Sequence, residues 1–265
     1  MFWGEKRITL EEYLMGMMAA TIPATYENET LKAQAVILRS HCMSHIIHKD
    51  GRKIIEEKDI RQYYFSKKER EYYWKEEYDA LQAKIKNAID ETKGKVLLHE
   101  GKIISPPFFR VGNGKTRSAK DFPVAGKEYG YIKQAECTAD MDFENYITYI
   151  DVSRKDFLEK IKYLKKSKEE SGGKITLVRD STEYVKEIYL GKEYISIDEF
   201  TKVFKLPSSC FSIETINEKI QFKVTGQGHG FGFSQYQANV FAKEGKTMEE
   251  LLNYFFTNIT IERAF

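Results

Sequence analysis

The sequence predicts a mixed α+β fold: one domain over residues 1–265, with a mostly antiparallel sheet, packed helices and a substrate cleft. Three observations predict it. Apolar residues recur at helical spacing through most of the first ninety residues, the period switches to two at Lys95, and short alternating runs joined by turn residues follow. Excursions over 50–93 and 153–210 are the segments expected to stand out as subdomains.

Taken in order, Thr9 is placed to cap a helix whose Leu10, Tyr13, Leu14, Met17 and Met18 form one stripe, with Pro23 ending it. A second helix, Ala-rich and expected to be buried, starts at Asn28 and runs through Cys42 and His45 towards His48. An irregular aromatic stretch from Arg61 leads to a helix with Tyr78, Leu81, Ile85, Ala88 and Ile89 on one face, closed by Gly94. Val96 to His99, a Glu100-Gly101 turn, Ile103-Ile104 and Phe108 to Val111 predict a meander. Residues 117–143 carry few apolar repeats and predict a long surface loop. Beyond it come a strand over 146–152, a helix over 153–166, a Ser171-Gly-Gly linker, and strands at 175–178, 184–190 and 192–195. A helix over 196–204 and a hairpin over 211–225 deliver the chain into a glycine-rich segment, which helices near 234–243 and 247–256 and a strand at 259–263 follow.

Composition narrows the function classes. Forty-two basic residues against 40 acidic ones leave a net charge of +2, too little to attract nucleic acid, and no nucleic-acid role is expected. The basic stretch from Lys160 to Lys168 has helical spacing and suits a solvated helix face. No apolar run reaches the eighteen or so residues of a membrane span, and the first residues lack the apolar middle of a signal peptide. Cys42, Cys137 and Cys210 are too scattered for a disulfide framework.

In the segment Gly226-Gln-Gly-His-Gly-Phe-Gly-Phe-Ser-Gln-Tyr236 a glycine recurs at every second position, which frees the backbone to turn sharply or to approach a ligand. By itself the segment suits a binding loop presenting His229, a phosphate cradle, or a plain strand-to-helix turn. Its wording, together with two other segments, resembles the SpoIID/LytB family. The family's GHGxGMSQYGA corresponds to Gly228 to Ala238, differing at Phe233 and Gln237. Its EEYL, AAExPA and EALKAQAVAARTY segments are similar to Glu11-Glu-Tyr-Leu14, Ala19-Ala-Thr-Ile-Pro-Ala24 and the run Glu29 to Ser40. Its FHSxSGGKT loop is similar to Phe108 to Thr116. The resemblance spans about residues 8 to 262.

What it implies is action on peptidoglycan: lytic transglycosylase cleavage of the glycan strand, or enhancement of a cell-wall amidase. The position of the family's acid is Thr21, and the histidine of the FHS triplet aligns with Phe109. A lytic transglycosylase needs one carboxyl group to protonate the leaving oxygen and then take the substrate's C6 proton, which a threonine hydroxyl cannot do. Thr21 and His229 are therefore the catalytic positions to inspect. Gln34, Arg39, Lys115, Thr116, Gln227, Gln235 and Tyr236 are the donors suited to sugar hydroxyls and acetamido groups. Glu27, Glu29, Asp140 and Asp142 are the carboxylates that could stand in for the missing acid.

No cofactor is expected. Cys42 and His45, with His41 and His48 at helical spacing, form a weak zinc motif that lacks a second segment of ligands. The expected partners are peptidoglycan strands and a cell-wall amidase. The resemblance implies an extracytoplasmic protein held by a membrane anchor upstream of Met1.

Overall fold

The computed structural model describes residues 8–49, 52–60, 62–121, 129–165 and 174–264. The Ser171-Gly-Gly segment, and Lys166 and Lys168 of the basic stretch, lie outside them. The architecture is mixed α+β with mostly antiparallel sheets, as the change of period predicts. The chain forms two compact units, one made of residues 1–107 and 238–265, the other of 108–237.

The first unit is built around the helix Asn28–Ser44. Its Leu31, Ala33, Ala35, Val36, Ile37 and Leu38 are all fully buried, as expected of small and aliphatic side chains on a helix surrounded by other elements. The helices Leu10–Thr21, Tyr78–Glu91 and Met248–Phe255 pack on it, together with the strand Lys95–His99. That strand is central in a sheet with Lys102–Ile103 and Ile259–Arg263, both antiparallel to it. Thr9 does cap the first helix, its hydroxyl accepting from the Glu12 N–H while the Glu12 carboxylate accepts the N–H of Thr9. The aromatic stretch contains a helix that period alone did not reveal, Lys67–Trp74, begun by a reciprocal Ser66/Glu69 cap. Its Tyr64 ring lies where a side chain at Gly16 would be, so only glycine permits this approach.

The second helix stops at Ser44, short of the expected His48. The Ser44 hydroxyl turns back to the His41 carbonyl, and Ile47–Lys49 pair with Arg52–Ile54 as a two-stranded ribbon. β-branched Ile46 and Ile47 favour that extended course.

In the second unit Phe211–Ile216, Lys219–Thr225 and Ile147–Ser153 form one antiparallel sheet, and Ile175–Arg179, Val185–Leu190 and Glu193–Ile195 form another. The helices Arg154–Leu164 and Ile197–Phe204 close a core in which Phe200 stacks on Phe211 and the rings of Phe157, Phe204 and Phe222 meet at a tilt.

Two expectations fail here. Phe108 and Phe109 do not continue the meander; after Pro106-Pro107 they pair in parallel with Phe233-Ser234, because proline supplies no N–H for the earlier ladder. Nor is 117–143 a surface loop throughout. Arg117, Tyr131, Ile132, Cys137 and Asp140 are buried, and the polar ones are hidden because each finds a charge or hydrogen-bond partner.

Candidate functional site

In the second unit the glycine-rich loop lies along the segment after Phe109. Gln227 exchanges backbone bonds with Val111, its N–H reaching the Val111 carbonyl at 2.7 Å and its carbonyl accepting from Val111 at 3.1 Å. The Gly226 N–H meets the Tyr146 carbonyl at 2.8 Å and the Gly228 N–H meets Pro207 at 2.8 Å. Such close backbone approach demands glycine. A Cβ on Gly226 (φ 72°) would lie 2.6 Å from the Val111 carbonyl oxygen, and one on Gly228 (φ 119°) would lie 2.6 Å from Cβ of Phe109. The parallel pairing of Phe108-Phe109 with Phe233-Ser234 completes the seam, so two of the three segments that carry the resemblance run side by side.

His229 stands at the tip of this loop with its ring exposed. Its Nδ1 accepts the Phe231 N–H at 3.1 Å, and the rings of Phe109 and Phe231 lie 6.0 and 5.9 Å away. The residue is exposed, and these two rings crowd its imidazole. That crowding, and then the charge of Arg117, lower its pKa to about 4, against a hydrogen bond to the Phe108 backbone that works the other way. At neutral pH His229 is therefore an uncharged hydrogen-bonding group with a fixed orientation.

Arg117 underlies the loop. Its Nε donates to Asp180 Oδ2 at 2.6 Å, its Nη1 donates to the His229 carbonyl at 3.2 Å, and its guanidinium lies 4.1 Å from the Phe231 ring centroid and 5.1 Å from that of Tyr184. The Arg117 N–H reaches the Gly230 carbonyl at 2.8 Å. The other oxygen of Asp180 accepts from the N–H groups of Thr182 and Tyr184 and from the Thr182 hydroxyl. Neither Arg117 nor Asp180 was singled out from the sequence. Asp180-Ser-Thr182 is a readable Asx-turn signature, but nothing in it points sixty-three positions back to Arg117.

Asp140 is fully buried and joins three pieces of this unit. It accepts from the Gly112 N–H at 2.6 Å, from the Ser234 hydroxyl at 2.8 Å and from the Gln237 N–H at 3.1 Å. Burial raises its pKa to about 6, although these three donors all favour the carboxylate. Its position ties the Gly112 loop to the start of the helix Gln235–Lys243, where negative charge also suits the helix dipole.

The remaining candidates of this unit are spread over its surface and interior. Lys115 is exposed, with a backbone bridge to Glu136. Thr116 is buried, its hydroxyl accepting from the Ala135 N–H and donating to the Lys133 carbonyl. Gln227 is half-buried in the loop and Gln235 is buried at the start of its helix. Tyr236 is half-buried with its ring edge-on to Phe143, and its N–H reaches the Arg110 carbonyl at 3.1 Å.

The other candidates belong to the first unit. Thr21 ends the helix Leu10–Thr21 with its hydroxyl donating to the Met17 carbonyl at 2.7 Å. Gln34 and Arg39 are both fully buried. Arg39 forms a two-point ion pair with Glu11, at 3.1 and 2.8 Å, and donates to the carbonyls of Ile89 and Lys95. Of the substitute carboxylates, Glu29 is committed to structure. Burial favours its neutral form, but the Lys32 ammonium at 2.7 Å and the Met248 N–H at 2.7 Å outweigh this and hold its pKa below the usual range. Glu27 is exposed at the start of the second helix.

Cys42 is buried, its thiol 3.6 Å from the Met17 sulfur and pushed up to about pKa 12 by burial. His45 Nδ1 is occupied by the His41 carbonyl at 2.8 Å. His41 holds Ser105 and Ile60 rather than a neighbouring ligand, and among the described residues no group of three or more His, Cys, Asp or Glu side chains is arranged to hold a metal ion.

Residues 5–99 match the model of the SpoIID family, described as Stage II sporulation protein. The chain is 29% identical over 264 residues to Stage II sporulation protein D of Bacillus subtilis (strain 168), which covers 98% of this chain and 76% of the relative. It is 27% identical, with the same coverage, to the protein of that name from Bacillus amyloliquefaciens. An uncharacterized Brachyspira hyodysenteriae protein is 23% identical over 96% of this chain and 67% of its own length. The resemblance carried by the three motifs is thus borne out: residues 5–99 match the SpoIID family model, and the chain is similar to Stage II sporulation protein D along nearly its whole length.

Proposed function

We propose that this chain acts in sporulation, in a cell-wall-related role, by binding the glycan strands of peptidoglycan outside the cytoplasmic membrane. The observation that carries this reading is the His229 loop. An exposed imidazole held beside Phe109 and Phe231, on a loop tied down by backbone bonds to Val111, Tyr146 and Pro207, is a preorganised face for a sugar ring to stack on. The names of the two Bacillus relatives supply the sporulation context.

The same reading makes the chain a glycan binder without ordinary transglycosylase chemistry. At the position of the family's acid stands a hydroxyl that donates to its own helix, and a hydroxyl neither protonates a glycosidic oxygen nor recovers the proton. The chain then serves its site by holding strands for a partner amidase.

Incubation with purified peptidoglycan tests this directly. The expected result is co-sedimentation with the strands, no 1,6-anhydro product by chromatography, and loss of binding in His229→Ala. Absence of binding at neutral pH overturns the reading; anhydro product that disappears in Glu27→Gln or Asp140→Asn replaces it with an enzyme using a displaced acid.

A further inference from the structure

His41 has a partner at each ring nitrogen. His41 Nε2 lies 2.8 Å from the Ile60 carbonyl and its Nδ1 lies 2.6 Å from the Ser105 hydroxyl. A carbonyl oxygen only accepts, so in the neutral ring the proton sits on Nε2. Nδ1 is then the acceptor, and the Ser105 hydroxyl is the donor. From this geometry we propose that Ser105 is a nucleophile, with His41 as its general base and the Ile60 carbonyl as the group that orients the ring, in a site that takes a carboxylic ester.

Three features support it. The hydrogen bond is short and points from hydroxyl to imidazole, the direction in which a serine must lose its proton to become an alkoxide. The Ile60 carbonyl fixes the tautomer and stabilises the imidazolium that forms, the task performed by an acid in the usual three-residue arrangement. Ser105 and His41 are both half-buried, so the pair is packed in place without being sealed from solvent. Burial first, and the edge-on His45 ring 4.8 Å away, also keep His41 on the neutral, basic side, although the Ile60 bond works against them.

The chemistry balances without any further reagent. Ser105 Oγ bonds to the ester carbonyl carbon as its proton passes to His41 Nδ1. The C–O bond to the alcohol then breaks, and the leaving oxygen takes that proton. Water adds to the acyl-serine, giving a proton to His41, and the carboxylic acid departs as the proton returns to Ser105.

A fluorophosphonate probe and p-nitrophenyl acetate test the whole chain, with the modified residue mapped by mass spectrometry. The expected result is one adduct per chain, on Ser105, absent in Ser105→Ala and formed about 10² times more slowly in His41→Gln. Labelling no faster than in the urea-unfolded chain, or labelling that survives Ser105→Ala, overturns the proposal. A second variant, Ser105→Cys, guards against misfolding. Its thiol should react with iodoacetamide at pH 6 at least about tenfold faster than in the unfolded chain, where an ordinary thiol is mostly protonated. Equal rates overturn the proposal; the adduct at position 105 is read alone by mass spectrometry, because the three native cysteines are buried only while the chain is folded.

Discussion

Arg117 and Asp180 form an ion pair at 2.6 Å that is closed to solvent on both sides, with side-chain exposures of 6% and 1%. A pair so hidden is costly to break, because removing one partner strands the other charge in a medium that solvates it poorly. Asp180→Ala should therefore lose about 3–5 kcal/mol of stability, read from urea unfolding. The double change Arg117→Met with Asp180→Asn, which keeps an amide oxygen for the Thr182 and Tyr184 donors, should recover most of it. A double variant no more stable than Asp180→Ala would show that a stranded charge is not the source of the loss.

Asp140 should give the second unit a distinctive acid response. Its folded pKa of about 6 lies above the ordinary 3.8, so the fold favours the protonated form. The stability this group contributes is complete below about pH 4 and is lost as pH rises through 6, a change on the order of 3 kcal/mol. Unfolding measured at pH 4.5 and 7.5 should show Asp140→Asn lacking this part of the wild-type pH dependence. Parallel pH profiles for the two proteins would refute it.

Two glycine substitutions separate backbone strain from crowding. Gly226→Ala meets both a left-handed φ of 72° and two carbonyl oxygens within 2.7 Å, and should cost more than about 2 kcal/mol while weakening glycan binding. Gly101→Ala has a similar φ of 75° with nothing within 4 Å, and should cost about 1 kcal/mol. Thermal or urea midpoints of the two variants make the comparison; equal losses would mean that the close seam with Val111 contributes nothing.

Thr21→Glu restores a carboxyl group to the position of the family's acid. This variant should release 1,6-anhydro product from bound strands at about 10² times the detection limit under which the wild type falls, at the low end of what a positioned acid contributes. Product at the wild-type level would assign the loss of chemistry to Phe109 or another departure instead.

Much of this fold was legible because local rules and tertiary structure agree. The Thr9 cap, the Glu100-Gly101 turn and the buried stripe Ile85, Ala88 and Ile89 are each read from a few adjacent residues. The exceptions depended on partners far along the chain. Phe108-Phe109 pairs with Phe233-Ser234, Arg117 with Asp180, and Asp140 with Gly112 and Gln237; none of these separations leaves a periodic trace. The buried polar segment around Arg117 and Asp140 looked like surface because composition registers polarity and not whether it is satisfied. The glycine-rich loop was visible as a motif, while the ion pair that supports it was not.

The first unit draws its final helix and an outer strand of its sheet from residues 238–265, and Glu29 holds the N–H of Met248 at 2.7 Å. On the ribosome the chain emerges from the other direction. Residues 108–237 are all available while the opening hundred residues still wait for the segment that finishes their sheet, so the second unit is the first that can be completed during synthesis. A nascent chain halted just after Gln237 would carry one whole unit and one with its strand Lys95–His99 open along the edge that Ile259–Arg263 later covers.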